Sequence, residues 1–248
     1  MKNFKEVLSN VEAGKMTMSG AMGFIGLHHP EMLPSWLEFR TYLPKLMKIK
    51  NGLNPLKKGN LKLDKSVGIW NLPAGETCPN CDDCISTCYA MQPQKQYASV
   101  RRGRFLRWMF VEFYRTEFAD AVVSQIKRQD IRKVRIHESG DFYSEDYAYL
   151  WETIARTCPE TTFYFYTKSP YVNEWLTELP NVNRVESILP DGSLNYGDAE
   201  YVIKKAKKFR AVICPVTAET HHGKKPRIKC GLDCTACARK RFVVFYQH

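Results

Sequence analysis

Apolar positions give the first map of this chain. From Arg104 to Gln129, Leu106, Met109, Phe110, Phe113, Phe118, Ala121, Val122 and Ile126 recur at helical spacing, with no Gly or Pro among them. That pattern predicts one long helix. The period then alternates. KVRIHESGD predicts a strand running into a turn, and SEDYAYLWETIART a helix with Ser144 as its N-cap. TTFYFYTKS predicts a strand, PYVNEWLTEL a short helix with Pro170 near its start, and VNRVESIL a further strand. GDAEYVIKKAKKF predicts a helix and RAVICP a last strand. Upstream, SVGIWNL is a short apolar strand candidate that ends at Pro73.

Strands that alternate with helices in this way build a parallel sheet. The expected fold class is α/β, a partial (β/α) barrel with mostly parallel strands. Such folds place ligands at the carboxyl ends of the strands. Here those ends carry polar and metal-binding residues: the cysteine-rich stretch after SVGIWNL, His137 to Asp141, Thr167 to Ser169, Glu186-Ser187, and Cys214-Pro215. The first sixty residues are less regular. PEMLPSWLEFRTYLPKLMKIKNG predicts a helix over about 35–49, bent at Pro44, and NPLKKGN a loop. Residues 1–65 are read as an N-terminal helical extension packed on the core, and 66–248 as the α/β domain.

Cysteine changes the picture most. Of nine, eight fall in two groups, and Cys158 stands alone in RTCPE as a bystander. No apolar run reaches the ~18 residues that span a bilayer. The N-terminus lacks the apolar region of a secretory signal, so the chain reads as cytoplasmic, with no membrane partner. In a reducing compartment structural disulfides do not persist, and metal is the better reading of clustered cysteines.

The first group, Cys78, Cys81, Cys84 and Cys88, is spaced C-x2-C-x2-C-x3-C, as in bacterial ferredoxins, although Tyr89 replaces the proline that follows there. Short gaps let a turning backbone aim several thiolates at one cube. The second group, Cys230, Cys234 and Cys237, is spaced C-x3-C-x2-C, and Cys214-Pro215 stands between the two groups as a remote ligand. The expected cofactor is a [4Fe–4S] cluster, one or two. Zinc is the alternative, for example between Cys78-x2-Cys81 and Cys234-x2-Cys237. Ferredoxin logic suggests one partition: Cys78, Cys81 and Cys84 with Cys214, and Cys88 with Cys230, Cys234 and Cys237.

Several of these stretches resemble one phage family. LPAGETC…CYA after a strand, VRIHESGDF at a strand end, then ICP and KCGLDCTACAR, look like the "gene product 88" domain family over roughly residues 66–240. The resemblance implies a distant similarity to radical SAM proteins, a partial barrel, an iron–sulfur cluster and, for a phage-encoded protein, the host cell cytoplasm. No Gly-Gly-Glu stretch follows the second strand, and C-x3-C-x2-C lies near the C-terminus, which counts against S-adenosylmethionine.

The remaining candidates are polar. His137 is the acid/base or hydrogen-bonding candidate, with Asp141 to orient it and Lys168 to bind substrate or an anion. Ser139 and Gly140 are cofactor-binding candidates, the glycine permitting close backbone approach. The competing reading of Ser139 and Asp141 is a local turn. His221 and His222 read as part of a basic surface loop. The aromatics of FYFYTKS read as core. No nucleophile elbow, Walker A or dinucleotide fingerprint is present.

Net charge is +11, from 37 Lys+Arg against 26 Asp+Glu, spread over small groups such as KKAKKFR and ARKR. It admits nucleic acid or another polyanion as partner. A zinc- or cluster-stabilised nucleic-acid-binding protein without catalysis is therefore the alternative function to a cluster protein with redox or radical chemistry.

Overall fold

The computed structural model describes residues 9–10, 13–17, 20, 54–81, 85–172, 174–187, 189–193, 195–215, 217–218, 227 and 233–246. The helix expected over 35–49 lies outside the described residues, as do Cys84, Cys230, His221 and His222.

The centre is an open five-stranded sheet. Strands β1 (Lys57–Lys58), β2 (Val67–Trp70), β3 (Lys133–Ile136), β4 (Thr162–Thr167) and β5 (Val182–Glu186) lie side by side in that order. β2 to β5 run parallel and β1 antiparallel to β2. The architecture is mixed α/β with a mostly parallel sheet, and the described strands do not close into a barrel. The segment read as a loop, NPLKKGN, supplies β1. Its two lysines are exposed, as suits a charged edge strand. Leu56 and Leu63 beside it are buried.

Between β2 and β3 lie α1 (Met91–Gln96), α2 (Ala98–Phe113) and α3 (Arg115–Gln129). The single helix expected over 104–129 is thus two. The break is at Tyr114, whose backbone leaves the helical region (φ −133°, ψ 58°), and its buried ring stays beside Phe110. Helix α4 (Glu145–Thr157) follows β3 and starts at Ser144, whose hydroxyl accepts from Tyr147 N–H. Helix α5 (Glu174–Thr177) follows β4 and is shorter than expected.

Alternation along the strands sends one set of side chains to each face. Trp70, Val134, Ile136, Phe163 and Phe165 face α2, α3 and α4 and form the main core with Phe110, Phe118, Val122, Tyr147 and Trp151. Edge-to-face ring pairs run through it: Phe118 and Trp151 lie 5.6 Å apart and Trp70 and Trp151 6.3 Å. Such pairs add about 0.5–1.5 kcal/mol each beyond area burial. Cys158 is buried in this core. The opposite face carries Val67, Ile69, Tyr164 and Tyr166, and a 3-10 turn over Ala236–Ala238 covers it. Parallel sheets need both faces covered.

The C-terminal half builds a second parallel sheet, ordered β6 (Tyr196–Gly197), β8 (Val243–Tyr246), β7 (Val212–Ile213), against helix α6 (Ala199–Phe209). The strand expected in RAVICP therefore joins this sheet, not the first. The reason is β8, which passes between β6 and β7 and pairs with both. Among the described residues no helix is long and apolar enough to cross a membrane.

Candidate metal centre

All parallel strands of the main sheet point their carboxyl ends the same way, and the first cysteine loop leaves β2 at that edge. The loop is clamped by groups the sequence did not flag. Buried Gln94 accepts from Ala74 N–H (2.9 Å) and donates to Ala74 C=O (3.1 Å). Buried Arg104 donates to Ala90 C=O (2.7 Å) and to Gln94 (3.0 Å). The signal for both was weak: a Gln between helical residues and one Arg of RRGR. Thr77, buried next to Cys78, donates its hydroxyl to Pro73 C=O (2.7 Å).

The HESGD turn locks onto this loop. Ser139 donates its hydroxyl to Leu72 C=O (2.8 Å) and accepts Leu72 N–H on its own carbonyl (2.9 Å). Asp141 N–H donates to Thr77 C=O (3.0 Å). Gly140 has φ +83°, and a Cβ there would stand 2.6 Å from both Leu72 Cβ and Thr77 Oγ1. Ser139 and Gly140 thus join strand end to cysteine loop.

His137 and Asp141 are close in sequence but do not pair, contrary to the expectation that Asp141 orients the imidazole. His137 takes a left-handed backbone (φ 66°) and packs inward, where Nε2 meets Tyr147 Oη at 2.7 Å and the ring lies edge-on to Phe142. Nδ1 is buried and has no hydrogen-bond partner among the described residues. Burial, aided by the charge of Arg135, drives the His137 pKa down to about 3, so the ring is neutral at physiological pH. Asp141 instead reaches β4: it accepts from Thr167 Oγ1 (2.6 Å), Lys168 N–H (3.0 Å) and Phe142 N–H (2.8 Å). Burial raises its pKa against these bonds. Lys168 enters through its backbone, its carbonyl accepting from Asn80 Nδ2 (2.8 Å) of the cysteine loop.

The thiols fall into two sets. All seven described cysteines are free. Burial pushes the Cys78 thiol up to about 12, with Asp141, Cys81 and Cys88 adding to the shift. Cys88 therefore belongs with Cys78 and Cys81. Cys214, Cys234 and Cys237 line one cavity of about 30 Å³ on the sheet face away from the main helices, together with Lys133, Arg135, Tyr164 and Tyr166. Burial lifts the Cys237 thiol to about 11, while a hydrogen bond with Tyr166 and the charge of Arg135 pull it down. Asn183 Nδ2 holds the turn by donating to Cys237 C=O (2.8 Å) and Lys240 C=O (3.1 Å). This sorting differs from the expected partition, which put Cys214 with the first set and Cys88 with the second. The physical reason is β8: Cys214 N–H bonds Val244 C=O (2.9 Å), which draws Cys214 to the C-terminal segment.

Tyr164 and Tyr166, expected to be core only, contribute to this cavity. Tyr89 of CYA donates its hydroxyl to Glu138 C=O and ties the first loop to the end of β3. Among the described residues no group of three or more His, Cys, Asp or Glu side chains is placed so that it could hold a metal ion. Cys84 and Cys230, one from each set, lie outside those residues. The donors that are described are uniformly soft sulfur, the chemistry of zinc and iron–sulfur sites.

The family model described as Gene product 88 matches residues 45–246. The chain belongs to the Gene product 88 family. Its relatives include the gene 88 protein of Mycobacterium phage L5, 28% identical over 197 residues, 68% of this chain and 81% of the relative. The gene 88 protein of Mycobacterium phage D29 is 27% identical over 197 residues, 68% and 80% of the two chains. No solved structure matches. The family match takes in both cysteine sets, the HESGD turn and all eight strands.

Proposed function

We propose that this phage-type protein binds iron–sulfur clusters through two thiol sets. One is built on Cys78, Cys81 and Cys88 at the carboxyl edge of the parallel sheet and joined in sequence by Cys84. The other is built on Cys214, Cys234 and Cys237 on the sheet face away from the main helices and joined in sequence by Cys230. The observation that carries the reading is the sorting of six described thiols into two sets of three, each on a segment tied to the sheet by hydrogen bonds and each with one further cysteine within its sequence span. The donor chemistry, thiol sulfur alone, suits that group. In this reading the sheet is a partial barrel of the radical SAM kind, supported by the cysteine run that follows β2 at the carboxyl edge. S-adenosylmethionine is not part of it, because the chain lacks the Gly-Gly-Glu stretch.

A bound cluster would supply one-electron transfer. The chain's own residues do the rest. Gln94 and Arg104 fix the first loop, and Asn183 fixes the second turn. Asp141 and Lys168 stand at the adjacent strand ends as the candidate substrate contacts. His137 supports this edge from beneath.

Anaerobic purification followed by a visible spectrum and assays of iron, sulfide and zinc tests the reading. Broad absorption near 400 nm with matched iron and sulfide is the expected result. A colourless protein with stoichiometric zinc and no sulfide overturns it in favour of zinc.

A second reading rests on charge. Lys204, Lys207, Lys208 and Arg210 along α6 and Arg239, Lys240 and Arg241 after the second cysteine turn are exposed. In this reading the thiol centres only staple a nucleic-acid-binding surface. Its signature is affinity for DNA or RNA that falls steeply with salt; salt-independent binding, or none, removes it.

A further inference from the structure

We propose that Arg135 is the counter-charge of an anionic metal–thiolate centre built on Cys214, Cys234 and Cys237. This rests on the metal-binding reading of the second cysteine set. Arg135 stands in the middle of β3, between Ile69 on β2 and Tyr164 on β4, on the face away from the main helices. It lines the cavity with the three cysteines and Lys133, and among the described residues no carboxylate lines it. Its guanidinium lies over the Tyr166 ring, 5.0 Å from the centroid, and Nε is buried with no hydrogen-bond partner among the described residues. Among the described residues no carboxylate lies within ion-pair distance of it. The carboxylate of Glu138, just past the end of the same strand, attracts the guanidinium only from beyond ion-pair distance and is itself held by Asn60 and Asn71.

Taking part of a cation out of water without a paired anion costs free energy, which a nearby negative charge would offset. The cavity wall points to its source. Three cysteines line the same cavity, the charge of Arg135 acts on the Cys237 thiol, and thiolates on a divalent ion or a cluster leave net negative charge behind. Tyr166 links the two sides, since its hydroxyl shares a hydrogen bond with Cys237 while its ring lies beneath Arg135. Arg135 is therefore a positioning residue. It holds charge opposite the ligands and touches no reacting atom.

Zinc titrated into the full-length chain under anaerobic, reducing conditions, in competition with a chromophoric chelator, tests the role. The binding phase that disappears in Cys234→Ser is the second centre. Arg135→Met should weaken that phase about 10–100-fold, the usual effect of losing a partner just outside the ligands. Arg135→Lys, which keeps the charge, should restore most of it. An unchanged phase in Arg135→Met overturns the counter-charge role and leaves metal binding standing. A Lys variant as weak as Met also overturns it, because stacking and not charge would then matter. An unmodified chain that binds neither zinc nor iron overturns the metal reading itself. Should Arg135→Met lose its helical circular dichroism, Arg135→Gln carries the same comparison.

Discussion

Replacing Gly140 by alanine attacks the joint between the HESGD turn and the first cysteine loop. Two costs add. The left-handed backbone (φ +83°) penalises any Cβ by about 1–2 kcal/mol. The new methyl would also stand 2.6 Å from Leu72 Cβ and 2.6 Å from Thr77 Oγ1, closer than any real contact. Neither neighbour is a flexible tip: Leu72 Cβ is fixed by the backbone, and Thr77 is held to Pro73. Overpacking of that kind costs about 1–3 kcal/mol. The sum is about 2–5 kcal/mol, a large share of the 5–15 kcal/mol typical of a whole domain. At about 2–4 °C per kcal/mol for a chain of this size, thermal unfolding should move down by roughly 4–20 °C. Gly192 supplies the internal control. It has φ +77° but nothing within 4 Å of a built Cβ, so Gly192→Ala should cost the backbone strain alone. The assay is urea or thermal unfolding of both variants by circular dichroism. Equal destabilisation of the two would refute the packing half of the reasoning. Because Thr77 precedes Cys78, the Gly140 variant should also take up less metal than the Gly192 variant.

The buried His137 makes stability depend on pH. Its folded pKa of about 3 lies below the unfolded value of ~6.5, so the unfolded chain binds the proton first; the contribution is full above 6.5 and is lost as pH falls toward 3. At about 1.4 kcal/mol per pH unit, moving from pH 7 to pH 5 should remove about 2 kcal/mol, and His137→Gln should flatten that loss in urea unfolding; a variant with the parent's pH slope would exclude His137 as its source. Tyr147→Phe takes away the single hydrogen bond of His137 Nε2 and should cost about 1–3 kcal/mol in the same assay. Stripping metal from the protein as purified should expose the C-terminal turn, read as faster tryptic cleavage after the exposed Arg239, Lys240 and Arg241. Cleavage that ignores metal would mean that packing and Asn183 hold the turn unaided.

Much of the main sheet was legible because its signals are local. KVRI and VNRVE alternate with amphipathic helices, and Ser144 caps α4 as its sequence predicts. What failed was whatever depended on partners far along the chain. RAVICP reads as one more strand of the same sheet; only β8, some thirty residues later, recruits it into another. The two-residue edge strand β1 is too short and too charged to announce itself, and owes its place to pairing with Gly68 and Ile69. The break at Tyr114 leaves no Gly or Pro in the sequence to mark it.

The candidate site divides along the same line. That the first cysteines leave a strand end, beside a turn rich in Ser, Gly and Asp, follows from the period of the chain. Which thiols meet does not, because spacing measures reach along the backbone and not which face of a sheet the backbone has reached. TFYFYT shows this most plainly. Four aromatics in a row give no sign of facing two ways, yet the pleat sends Phe163 and Phe165 into the helix-covered core and Tyr164 and Tyr166 toward Cys214, Cys234 and Cys237. Arg135 follows the same alternation between Val134 and Ile136. A strand buried on both faces needs apolar residues on both, unless one cover is something other than a hydrocarbon layer. Tyrosine and arginine on the second face of β3 and β4 are thus the strands' own record that a short cysteine-bearing turn, and not an amphipathic α-helix, lies over it.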